Sequence, residues 1–122
     1  MFPSGVWRGF WEQEGFGRQT MQDFHLHFRD GLVSGHGRDI VERFVFHGEY
    51  ERKTGAIQLT KQYLGRHEVE YAGRPDGEGC IIGTWTVRTK YGDREQVWTG
   101  PFLLQPVVSR PSGDEPILEI IR

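Results

Sequence analysis

Apolar and polar residues alternate with a period of two through most of the chain, in short runs divided by turn-forming residues. The clearest run is 18–29, where Phe24, Leu26 and Phe28 interleave with Asp23, His25 and His27. Such alternation puts one set of side chains on each face of a strand. Related patterns recur over 5–13 (Trp7, Gly9, Trp11), 32–37 and 40–52 (Phe44, Phe46, Gly48, Tyr50). They continue over 56–64 (Ile57, Leu59, Lys61, Tyr63) and 67–73 (His67, Val69, Tyr71). The last two are 80–89 (Ile81, Gly83, Trp85, Val87) and 94–104 (Gln96, Trp98, Gly100, Phe102, Leu104). The breaks between them carry turn chemistry, including Glu14-Gly15-Phe16-Gly17, Asp30-Gly31, Lys53-Thr54-Gly55, Leu64-Gly65-Arg66 and Tyr91-Gly92-Asp93.

Eight hairpin-linked strands and no sustained helical period predict an all-β domain over 1–104. The expected form is an eight-stranded antiparallel up-and-down barrel, because sequence neighbours pair most readily and closure removes free edges. A two-sheet β-sandwich is the runner-up, since the same pattern would serve it. Residues 105–122 contain three prolines before an apolar end, and predict a linker and arm that can add a strand or reach a second subunit.

Composition narrows the functional classes. The 122 residues suit one domain, and a net charge of −2 with scattered charges gives no pull toward nucleic acid or an anionic membrane surface. The single cysteine, Cys80, excludes an intrachain disulfide and is expected to be a buried, inert thiol. With no secretory leader and no apolar run long enough to span a bilayer, the expected home is the cytoplasm. No motif assigns a cofactor, and nucleophile-elbow, P-loop and zinc-protease signatures are missing, so the sequence leans away from an enzyme.

Gly5-Val6-Trp7 resembles the Gly-x-Trp opening of calycin barrels, the lipocalins, fatty-acid-binding proteins and avidins. Ile82-Gly83-Thr84-Trp85-Thr86-Val87 with Val97-Trp98-Thr99-Gly100-Pro101-Phe102 resembles the paired tryptophan strands of avidin-like proteins, and Gly48-Glu49-Tyr50 a mid-chain Gly-x-Tyr. The resemblance implies that Trp7, Trp85 and Trp98 line a small-molecule pocket. The polar residues that hold biotin's ring in avidins have no counterparts here, so biotin is not the implied ligand.

The residues themselves point the same way. If Leu59 faces the lumen, so do Lys61 and Tyr63, and on the next strand Val69 brings His67 and Tyr71 with it. An ammonium, two phenols and an imidazole among tryptophans describe a site for a small, anionic, partly apolar ligand. In the bland alternative Lys61 and His67 sit in water at the mouth, the tyrosines and tryptophans only pack, and the barrel is filled. No carboxylate partner is fixed for Lys61, Tyr63 or His67. Asp39 or Glu42 would have to fold over the barrel to supply one.

Two further readings remain. His25 and His27, two apart on one strand face, have the spacing of a zinc or copper pair, but that face points outward, and His67 is the one inward candidate for haem. No metal ligand is therefore assigned. The other is an interaction or oligomerisation module, with apolar surplus at Val41, Val45, Val97 and Leu103 on outer faces.

Overall fold

The computed structural model describes residues 2–108 and has eight strands and no helix. They are β1 (Gly5–Gln13), β2 (Gly17–Arg29), β3 (Leu32–Arg38), β4 (Arg43–Tyr50), β5 (Ile57–Tyr63), β6 (Glu68–Pro75), β7 (Ile81–Tyr91) and β8 (Arg94–Pro106). Each pairs antiparallel with its sequence neighbour, and β8 closes on β1 to make an up-and-down barrel. The sandwich alternative is thereby excluded. Strand β8 continues to Pro106, two residues past the expected domain limit of 104, and Val107 N donates to Val6 O (2.9 Å) beyond it. The remainder of the expected arm, from residue 109 on, lies outside the described residues. Among the described residues no helix is long and apolar enough to cross a membrane.

The lumen is filled by the alternating positions. Trp7, Trp11, Phe24, Leu26, Phe44, Phe46, Ile57, Leu59, Tyr71, Trp85, Phe102 and Leu104 are all buried. Strand β2 departs from plain alternation. Trp7 pairs Phe24 but Gly9 pairs Met21, so β2 carries one extra residue at a bulge, where Asp23 adopts φ 50°. The bulge turns both Met21 and Phe24 inward, and the Asp23 carboxylate accepts from Arg38 Nε at 2.7 Å. Glycines supply closeness where the wall bends. A Cβ at Gly48 would collide with the backbone of Gln58 and Leu59, and one at Gly100 would lie 2.7 Å from the Trp85 indole nitrogen.

The two ends of the barrel differ. At the end holding the chain start, Phe2, Trp7, Phe28 and Tyr50 stack into a plug, with ring centroids 5.3 Å apart for Phe2–Phe28 and 5.6 Å for Trp7–Phe28. The other end carries the β1–β2, β3–β4, β5–β6 and β7–β8 connections. There the β7–β8 ribbon outruns the wall: β6 pairs β7 only as far as Thr86, and β1 pairs β8 only as far as Phe102. Pro101, which has no N–H to give, follows directly on that last pair.

Candidate functional site

The site is built around a lysine in the lumen. Strand β5 sends Ile57, Leu59, Lys61 and Tyr63 inward, and Lys61 is wholly buried. A buried ammonium has to be paired, and the chain pairs it itself. After Arg38 the β3–β4 connection folds over the open end of the barrel. Asp39 anchors this turn, its backbone N donating to Glu42 O and its Oδ1 accepting from Val41 N at 3.0 Å. Its other oxygen, Oδ2, accepts from Lys61 Nζ at 2.7 Å, Tyr63 Oη at 2.7 Å and Trp11 Nε1 at 3.1 Å. The carboxylate is thus saturated, and its side chain is as buried as that of Lys61.

Aromatic rings enclose the pair. Lys61 Nζ lies 4.3 Å from the Phe44 ring centroid, 4.7 Å from Tyr63 and 5.5 Å from Trp11, distances at which ring faces attract a cation. Lys61 Nζ also donates to Tyr71 Oη at 3.3 Å. Burial lowers the Lys61 ammonium to about 8, against the opposing pull of Asp39. Burial, and then the Asp39 charge, push the Tyr63 and Tyr71 phenols well above their usual range, so both stay protonated donors.

Above this network, at the mouth, is a half-open pocket of about 160 Å³ lined by Trp11, Gln13, Val41, Tyr63, His67, Val69, Tyr71, Trp85 and Val87. Its tryptophans are tied down. Trp11 meets Trp85 edge to face at 6.1 Å, and Trp85 Nε1 donates to Glu12 O at 2.9 Å. Larger depressions of about 620 and 670 Å³ are open grooves on the barrel's outside, lined by residues such as Phe10, Arg18 and Ile82, or His27, Ser34 and His47. The mouth pocket alone among these joins the lumen to a polar network.

Four of the seven residues singled out from sequence, Tyr63, His67, Tyr71 and Trp85, come together on its wall. His67 is not inward as expected but sits exposed at the rim, packed on the Tyr63 ring at 5.2 Å. Lys61 lies beneath the pocket, and the carboxylate expected from a ligand is supplied by Asp39. Trp7 is buried in the plug at the far end, its Nε1 donating to Pro3 O at 3.0 Å. Trp98 does not line the lumen: it has the expected strand face, opposite Val87, but lies on the ribbon beyond the wall and is 49% exposed. Sequence reasoning missed Trp11 as a site residue, and named Asp39 only as a partner that would need an unsupported fold-over, which the β3–β4 connection makes.

His25 faces outward and stacks on His36 of β3, not on His27, with centroids 4.9 Å apart. Among the described residues no group of three or more His, Cys, Asp or Glu side chains is placed to hold a metal ion. Val41, expected on an outer face, belongs to the β3–β4 connection and packs into the pocket wall. Val45 and Val97 are exposed but lie on β4 and β8, on opposite sides of the barrel, so they form no common patch. Cys80 is buried and unpaired, its thiol pushed up by burial.

Fold and site together define a closed eight-stranded up-and-down barrel with a mouth pocket over a buried ion pair. No family model, curated protein or solved structure matches the chain. The finer likeness to avidins thus has no support beyond the residues that suggested it.

Proposed function

We propose that this protein binds a small, uncharged, largely apolar molecule in the mouth pocket, without catalysing a reaction on it. The observation that carries this reading is a preformed pocket whose aromatic walls are fixed by hydrogen bonds to buried partners. A buried ion pair is a poor device for stability, because desolvation offsets most of its attraction. Here it holds Trp11, Tyr63 and Tyr71 in place and keeps the end of the barrel from collapsing. A pocket of about 160 Å³ matches a single ring, since an apolar cavity of about 150 Å³ admits benzene. The anionic ligand expected from sequence is set aside, because Lys61 already has its carboxylate. Exposed apolar residues stand in three of the four connections at this end (Phe16, Ile40 and Leu64), and Trp98 stands on the ribbon that carries the fourth, which suits a ligand that extends past the rim.

A panel of neutral ring-sized compounds, followed by tryptophan fluorescence, tests this. Quenching that is saturable in the natural protein and lost in Val69→Phe, whose added ring fills the pocket, supports the reading. Equal responses in the two proteins, or none in either, overturn it.

A second reading, contact with another protein or a second copy, draws on the ribbon. Among the described residues its outer edges are unpaired beyond Thr86 and Phe102, and Tyr91, Val97 and Trp98 are exposed there. Concentration-dependent sedimentation that Trp98→Glu abolishes supports this reading, and a monomer at all concentrations sinks it.

A further inference from the structure

Among the buried polar side chains of the pocket, all but one commit their protons inside the protein. Trp11 Nε1 and Tyr63 Oη donate to Asp39, and Trp85 Nε1 donates to Glu12 O. Tyr71 is different. Its hydroxyl accepts from Lys61 Nζ at 3.3 Å, and among the described residues no acceptor takes its own hydrogen. The residue is 1% exposed, with Phe46 and Phe102 packed on its ring at 5.1 and 4.6 Å. A buried O–H donor with nothing to donate to is costly, and the side left for it is the pocket that Tyr71 lines.

We infer that the ligand carries an uncharged hydrogen-bond acceptor, a carbonyl or ether oxygen, that docks on the Tyr71 hydroxyl at the pocket floor. This rests on the mouth pocket being the ligand site, and names the chemistry it selects. The ammonium that Tyr71 accepts from polarises its O–H and makes it a stronger donor. The formal charges of Lys61 and Asp39 cancel, so a carboxylate ligand would enter as a second anion beside Asp39, with Lys61 already paired. An oxygen bearing only partial charge has no such penalty. The wall around it, including Trp11, Trp85 and Val69, accepts the ring that carries the oxygen.

Two isosteric probes separate this inference from the reading it rests on. Acetophenone and α-methylstyrene have the same shape, but the first presents a carbonyl oxygen where the second presents a methylene. Affinities are read from the ¹³C-methyl shifts of Val69 and Val87 during titration. Acetophenone is expected to bind about tenfold more tightly, and Tyr71→Phe to reduce that ratio to near one while α-methylstyrene binds as before. Equal affinities in the natural protein leave the pocket standing and overturn the acceptor, whatever the variant does. A preference that survives Tyr71→Phe overturns the role of Tyr71. Absence of binding by both probes overturns inference and pocket together.

Discussion

The two ends of this barrel start from the same strand face and finish differently. Trp7 and Trp11 lie four residues apart on β1 and both point inward. Around Trp7 the neighbours are Phe2, Phe28 and Tyr50, and the indole nitrogen is satisfied by the carbonyl of Pro3. Hydrocarbon packs to fill space, and that end is closed. Around Trp11 the neighbours are Asp39, Lys61 and Tyr63, whose positions are dictated by bonds of 2.7 to 3.1 Å. Groups held by directional bonds cannot slide together to fill a gap, so a pocket persists. The contrast teaches that the buried charge makes the cavity, and that aromatic content alone does not.

The comparison is broken most severely by unpairing the charge. Asp39→Ala strands the Lys61 ammonium and is expected to cost about 3–5 kcal/mol in urea unfolding. The double variant Asp39→Leu with Lys61→Met should recover most of that loss while closing the pocket to ring-sized ligands. An Asp39→Ala protein of near-natural stability would mean that the pair is not sealed from water. At the closed end, Trp7→Ala should cost a similar amount, about 3–5 kcal/mol. Unlike the Asp39 change, it should leave acetophenone affinity of the folded protein unaltered in titration.

A smaller effect comes from pH. The Lys61 ammonium is held at about 8 rather than 10.5, so between those values the unfolded chain keeps a proton that the folded chain has lost. Stability contributed by this group therefore rises with pH over that window. The phenols of Tyr63 and Tyr71 lie above 10.0, so beyond that pH the unfolded chain loses protons that the folded chain keeps, and stability falls. Relative to Lys61→Met, unfolding free energy is expected to gain about 1–3 kcal/mol from pH 8 to 10 and then level off, while the later decline due to the phenols is shared by both proteins. A flat difference between the two proteins would contradict the burial of Lys61. The smallest effect is expected on the ribbon: Trp98→Ala should change stability by less than about 0.5 kcal/mol, checked in the same urea series.

Much of this was legible in the residues. The alternation in β5 and β6 and the turn residues between them place Lys61, Tyr63 and Tyr71 inward, since a period of two leaves no other choice once Leu59 is inside. Three things were not legible. Asp39 reaches Lys61 across 22 positions through an irregular turn, and period-two reasoning is silent about such connections. The one available signal was logical: an inward lysine demands a carboxylate, and Asp39 stands in a connection at the same end of the barrel. Trp98 misled for a different reason. Its strand face was read correctly, but the length of the β7–β8 ribbon relative to its neighbours depends on where β1 and β6 stop pairing. The Asp23 bulge was hidden likewise, because an aspartate in the left-handed region has no fixed signature.

The four tryptophans report separately on the open end, the closed end and the ribbon, so one titration tests the central claim. Indole N–H signals of ¹⁵N-labelled protein are followed as acetophenone is added. The account predicts saturable shifts of Trp11 and Trp85 with Trp7 and Trp98 unmoved. Shifts led by Trp7, or four signals that stay still at saturating probe, would contradict it.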